Sequence, residues 1–170
     1  LTVNGVEVDE KTEFRYLASD QRVDHIIEQA TYFGHSGDRV KGLIFCSRND
    51  EARALSETFK RKGYNTMALS GDNSQVEREK AIEHLESDCK VDDSNALDYI
   101  FTVDIFNEGV DIPQVNQVIM LRPTQSAIIF VQQLGRGLRK SNNKEYVVVL
   151  DFIGNYSNNF LIPIALSGNI

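Results

Sequence analysis

Gly42-Leu43-Ile44-Phe45-Cys46, followed by Ser47-Arg48-Asn49 and then Asp50-Glu51, is the stretch on which the fold turns. Five residues in a row without a charged or amide side chain present no polar face to water. The run therefore suits a short strand covered by helices on both sides. Ser47-Arg48-Asn49 reads as the loop leaving it. Asp50 and Glu51 suit the positive end of a new helix, whose buried stripe would be Ala52, Leu55 and Phe59, closed by Gly63.

The same alternation continues on both sides. Upstream, a helix should begin at Ser19 or Asp20, with Val23, Ile26, Ile27, Ala30 and Phe33 on one stripe, and end between Gly34 and Gly37. Before it, Leu1-Thr2-Val3 and Val6-Glu7-Val8 flank Asn4-Gly5, a pair suited to a type I′ turn, and predict a short hairpin. Downstream, Thr66 to Leu69 predicts a strand, Ser70-Gly71-Asp72-Asn73 a turn, and Ser74-Gln75-Val76-Glu77 a capping box opening a helix to about Leu85. The polar, acidic segment from Ser87 to Asn95 reads as a surface loop. Tyr99 to Val103, Gln117 to Leu121 and Tyr146 to Leu150 are further strands, with helical patterns between most of them. Strands alternating with helices imply a mostly parallel sheet in a three-layer α/β/α domain. In such sheets ligands gather at the carboxyl ends of the strands, where the loops bearing Ser47-Arg48, Ser70-Gly71, Thr102 to Asp111 and Arg122 all leave. The expected organisation is an N-terminal extension over 1–19, the α/β domain over 20–151, and an irregular cap or link over 152–170.

At 170 residues and 41% hydrophobic content, the chain fits one globular domain of ordinary core size, with no stretch long enough to cross a bilayer. Leu1 is not a start methionine and nothing resembles a signal peptide, so the chain reads as a piece of a longer protein. Cys46 and Cys89 lack metal-ligand spacing, which points to a reducing cytoplasm. His25, His35 and His84 are scattered and form no metal or catalytic set, and no metal ligands are assigned. A formal charge of −7 argues against a surface uniformly attractive to nucleic acid but permits a local basic groove.

Two stretches carry chemistry. Gln132-Gln133-Leu134-Gly135-Arg136-Gly137-Leu138-Arg139 sets two guanidinium groups three residues apart, on one face if helical, behind glycines that permit close approach. Such forks suit phosphate oxygens. The structural alternative is a solvated basic helix end beside its negative pole. Thr102-Val103-Asp104-Ile105-Phe106-Asn107-Glu108-Gly109-Val110-Asp111-Ile112-Pro113 joins a hydroxyl at a strand end, a glycine, and a carboxylate before proline. Asp111 could accept ribose hydroxyls. The same order of residues is also ordinary turn chemistry.

Taken together, these stretches resemble the second RecA-like lobe of superfamily 2 helicases, in the branch holding restriction-type and excision-repair-type DNA helicases. Gly42 to Arg48 is similar to motif IV, Thr102 to Pro113 to motif V, and Gln132 to Arg139 to motif VI, across most of Val40 to Asp151. The resemblance implies a RecA-like fold of the P-loop NTPase type. It implies arginine-finger roles for Arg136 and Arg139, nucleotide approach by Gly109, Asp111 and Gln132, and nucleic-acid backbone contacts by Ser47, Arg48, Ser70, Gly71 and Thr102. It also implies ATP and Mg²⁺ as cofactors, held mainly by a preceding RecA-like lobe. Gln133 stands where RNA-type members often carry arginine, and Leu138 where many carry glycine, which leans towards DNA.

A Gly-x-x-x-x-Gly-Lys-Ser/Thr loop is absent, so this chain lacks the cradle for β- and γ-phosphates and is expected to be inactive alone. Asp50-Glu51-Ala52-Arg53 imitates a magnesium-binding DExx box, but a polar loop separates it from its strand, and helix-start acids explain it better. The sequence thus predicts one motor lobe of an ATP-dependent helicase or translocase. A stand-alone nucleotide- or phosphate-binding α/β module is the alternative. A scaffold lobe without activity would leave both arginines and Asp111 without a role.

Overall fold

The structure, a computed structural model, describes residues 2–3, 6–7, 20–87, 95–103, 114–122, 125–137, 146–152 and 162–167. Ahead of the domain, β1 (Thr2–Val3) pairs antiparallel with β2 (Val6–Glu7), Val3 opposite Val6, which is the hairpin register expected around Asn4-Gly5. The domain then runs α1 (Asp20–Phe33), β3 (Gly42–Phe45), α2 (Asn49–Arg61), β4 (Thr66–Ala68), α3 (Gln75–Glu86), β5 (Tyr99–Thr102), β6 (Gln117–Met120), α4 (Gln125–Gly137), β7 (Tyr146–Asp151) and β8 (Ile162–Ser167).

Strands β3 to β8 form one sheet in the order β4-β5-β3-β6-β7-β8. All neighbours are parallel except β7 and β8, which are antiparallel. The sequence suggests an irregular cap or a link over 152–170, and within it β8 adds a strand to the sheet. Pro163 argued against a strand because it cannot donate to a ladder. β8 occupies the sheet edge, where one row of N–H groups has no neighbour to serve and proline is tolerated.

Alternation along the strands sorts the core into two layers. On one face Leu43, Phe45, Ile100, Val118 and Val149 pack with Ala81 and Leu85 of α3 and with Ala127 and Phe130 of α4. On the other, Ile44, Cys46, Phe101, Ile119 and Leu150 pack with Val23, Ile26 and Ala30 of α1 and with Ala52, Leu55 and Phe59 of α2. The α2 stripe read from the sequence is thereby buried, as are Val23, Ile26 and Ala30 of the α1 stripe, with Ile27 and Phe33 partly buried against the same layer, and the domain has the three-layer α/β/α build. Phe59 anchors the second layer, its ring edge-on to Phe101 at 5.0 Å and to Tyr99 at 5.6 Å.

Helix ends are closed by local and distant groups. Ser74 accepts from the Glu77 N–H at 3.1 Å and opens α3 as a cap. Gly63, at φ +99°, takes the left-handed conformation just past α2. The carbonyls of Ala30 and Gly34 at the end of α1 accept from the buried Gln117 amide at 3.0 Å each, and Gln117 in turn accepts the Tyr99 hydroxyl hydrogen.

Candidate nucleotide and nucleic-acid edge

The chain crosses from one side of β3 to the other between β5 and β6, so strand order reverses at β3. The carboxyl edge beside such a reversal is where ligands of parallel α/β sheets sit. Pairing continues past the strand ends there. Cys46 N–H donates to the Thr102 carbonyl at 2.8 Å, Leu69 N–H to Phe101 at 2.9 Å, Leu121 N–H to Phe45 at 3.0 Å, and Phe152 N–H to Met120 at 2.9 Å. Ser47, Ser70, Thr102 and Arg122 thus stand at or just past the strand ends along one edge.

At the exit of β3, Ser47 is exposed and its hydroxyl donates to Glu51 Oε2 at 2.8 Å. Arg48 takes the cap position of α2 with extended backbone and no side-chain cap bond. Its Nε lies 3.2 Å from Asp50 Oδ1, which also accepts the Glu51 N–H at 2.9 Å. Asp50 and Glu51 therefore occupy the first turn of a helix, as helix-start acids do. Glu51, however, is only 2% exposed. Burial pushes its carboxyl above the ordinary glutamate range, against the opposing pull of the Ser47 hydrogen bond and of the Arg122, Arg22 and Arg48 charges. Burial, with the Glu51 charge adding to it, also raises the Cys46 thiol well above its usual value, so Cys46 is a core residue and not a nucleophile.

At the exit of β4, Ser70 N–H donates to Asn73 Oδ1 at 2.8 Å, the Ser70 hydroxyl accepts from Asp72 N–H at 3.2 Å, and Arg78 clasps the Asn73 carbonyl through Nε and Nη2. This tight turn faces the start of α2 across a cavity of about 240 Å³ lined by Asn49, Arg53, Leu69, Ser70, Asp72 and Asn73. Ser70 is brought beside the segment that follows Arg48. Gly71 is exposed, and a Cβ on it would meet nothing within 4 Å, so its backbone is open to an approaching group. Thr102 sits apart from these. It is fully buried, and its hydroxyl has no hydrogen-bond partner among the described residues.

Helix α4 buries Ala127 and Phe130 while Gln125, Ile128, Ile129 and Gln132 stay exposed. That exposed stripe at the helical period leads along the backbone to Arg136, four residues beyond Gln132 on the same helix. Gly109, Asp111 and Arg139 lie outside the described residues, and Arg136 is described through its main chain alone. Among the described residues no cluster of three or more His, Cys, Asp or Glu side chains could hold a metal, and no helix is long and apolar enough to cross a membrane.

The sequence reading missed Glu51 as a buried group, together with Arg22 and Arg122 as its partners. One signal was available: Glu51 lies four residues before Leu55, on the buried side of α2.

Comparison with known proteins agrees with this geometry. The family described as "Helicase conserved C-terminal domain" matches residues 21–141. "Putative ATP-dependent helicase IRC3" of Saccharomyces cerevisiae is 30% identical over 112 residues, covering 66% of this chain and 15% of that protein. "ATP-dependent RNA helicase SrmB" of Haemophilus influenzae is 28% identical over 116 residues, covering 68% of this chain and 25% of that protein. The chain thus spans a quarter or less of these relatives' length. Among solved structures, the C-terminal domain of the DEAD-box protein Dbp5 superposes with a TM-score of 0.54 at 18% identity, over 81% of this chain and 72% of that one. The SWI2/SNF2 ATPase core of Sulfolobus solfataricus gives 0.51 at 18% identity, over 88% of this chain and 28% of that one. From the reversal at β3, the RecA-like layering and the match over most of its length, this chain belongs to the helicase C-terminal domain family.

Proposed function

We propose that this chain is the second motor lobe of an ATP-dependent helicase or translocase that acts on nucleic acid, with residues 20–151 as the lobe. It closes on a preceding RecA-like lobe of the same polypeptide and delivers Arg136 and Arg139 to the phosphates held there. The observation that carries this reading is the exposed stripe of α4, Gln125, Ile128, Ile129 and Gln132, which runs into Gly135-Arg136-Gly137 in a helicase-family domain. Ile128 and Ile129 lie outward on that stripe, where a closing lobe would cover them.

ATP with Mg²⁺, when bound, supplies the phosphoryl group on which charge develops during transfer to water. The described residues offer no metal cluster and the sequence no phosphate-cradling loop, so this chain's contribution is to position cations and exclude water on one side. Gln132, Gly109 and Asp111 would line the nucleotide from this side. Ser47, Arg48, Ser70 and Gly71 would hold the nucleic-acid backbone along the carboxyl edge. Thr102, being buried, would act through the main chain of its loop. Opening and closing of two lobes that each grip the strand would advance the pair. Gln133 and Leu138 favour DNA as the strand gripped.

The test divides the full-length protein. Nucleic-acid-stimulated ATP turnover should require both the region preceding this domain and the domain itself. If the preceding region alone turned over ATP at the full-length rate, this lobe would have no part in the chemistry.

A further inference from the structure

Glu51 has a setting that a helix-start acid does not need. It is nearly fully buried at the mouth of the carboxyl edge, and its Oε2 holds the Ser47 hydroxyl at 2.8 Å. Guanidinium groups from three separate elements act on its charge: Arg22 of α1, Arg48 after β3, and Arg122 after β6. Their settings differ. Arg22 is 7% exposed, its guanidinium 5.6 Å from the centre of the Phe152 ring, and so forms the inner wall. Arg48 and Arg122 both reach solvent in part.

Backbone register explains why they meet. β3 and β6 are parallel with Phe45 opposite Met120, and Leu121 N–H still donates to the Phe45 carbonyl, so Ser47 and Arg122 emerge side by side. Three arginines thus act on one buried carboxylate, while Arg48 also pairs with the exposed Asp50, on an edge that carries Asp72 and Asp151 as well. A buried carboxylate can orient two outward-reaching guanidinium groups without cancelling both. Orientation matters because a long side chain ordered beforehand loses less freedom when it grips a phosphate.

We propose that Arg122 is a nucleic-acid phosphate contact and that Glu51 is the positioning residue that sets Arg122, Ser47 and Arg48 together on the carboxyl edge. This rests on the motor-lobe reading and adds to it a contact and a buried organiser from outside the three motifs.

The test uses the full-length protein and ATP turnover titrated with single-stranded DNA, and with RNA, of the same mixed sequence at several salt concentrations. Arg122→Ala should raise the half-saturating strand concentration about tenfold, the loss of one charge-assisted contact. It should also lower the slope of log affinity against log salt by about one, with turnover at saturation near wild type. Glu51→Gln, which keeps the shape, should raise half-saturation by a similar factor, and the double variant should lose less than the product of the two single effects, because Arg122 acts in part through Glu51 while Ser47 and Arg48 depend on Glu51 separately. Wild-type half-saturation and salt slope in Arg122→Ala would overturn the contact, whatever the fate of the Glu51 variant. Binding by Glu51→Gln as tight as wild type, or tighter, would reduce the carboxylate to a countercharge and overturn its positioning role. Absence of any strand stimulation in the wild-type protein would be a distinct result: the motor reading fails, and this assignment falls with it.

Discussion

Gly42 lies directly beneath the Tyr99 ring: a Cβ at position 42 would come within 2.3 Å of Tyr99 Cε1. The ring cannot swing aside freely, because its hydroxyl is bonded to Gln117, whose amide caps the end of α1. One absent methyl group thus lets the central strand, its neighbour β5 and the first helix lock together. Gly42→Ala should cost about 2 kcal/mol of stability, as overpacking does in a filled core. Chemical denaturation measures it, and an unchanged midpoint would mean that the ring has room to move.

A second lock sits at the same edge, where the strands begin. Arg39 donates to the carbonyls of Leu85 at 2.8 Å, Leu97 at 2.6 Å and Ser87 through Nε at 3.1 Å, and lies 3.9 Å from Asp98. It closes the end of α3 where the last carbonyls need donors. Arg39→Ala should destabilise the domain by about 3 kcal/mol through unsatisfied buried carbonyls. Arg39→Lys, a point charge in place of a fork, should recover little of that loss. Denaturant midpoints of the two variants check both statements.

Much of this architecture was legible because it follows periodicity. The Ala52-Leu55-Phe59 stripe, the Ser74 cap and the apolar run at Gly42 to Cys46 each report a local rule, and each stands where it was read. What escaped depended on neighbours distant in sequence. Gly42 is required by a ring 57 residues away in the chain, a partner no window over the strand contains. Glu51 reads in the sequence as a helix-start acid, and its burial is offset by the Ser47 hydrogen bond and by Arg122, Arg22 and Arg48, partners no window over the helix contains in full. Pro163 hid β8, since its acceptance there depends on the strand lying at the edge. At the candidate site, Ser47, Arg48 and Ser70 do share one edge, whereas the hydroxyl of Thr102 is turned into the interior.

The Glu51 carboxyl also predicts a pH dependence. Its titration point is raised in the fold, chiefly by burial. A raised carboxyl contributes stability that is fully present below its unfolded pKa and is lost as pH rises through the folded one. Glu51→Gln should therefore have a slightly higher denaturation midpoint than wild type at pH 7, with the difference shrinking as the pH falls into the ordinary carboxylate range. A variant less stable than wild type at neutral pH would show that the arginine partners outweigh the burial.

The chain by itself should bind a non-hydrolysable ATP analogue more weakly than the micromolar range, because the phosphate-cradling loop is absent from it. Calorimetric titration checks this. Micromolar binding without a preceding lobe would favour a stand-alone nucleotide-binding module instead.

In the proposed motor lobe, Arg136 and Arg139 act on the transferring phosphoryl group. Nucleic-acid-stimulated ATP turnover in the full-length protein carrying Arg136→Ala or Arg139→Ala, with nucleotide and strand both saturating, measures that role. Each variant should lose about a thousandfold or more in turnover, the scale of an arginine finger, while ATP affinity falls far less. Wild-type turnover in both variants would remove the two arginines from the chemistry.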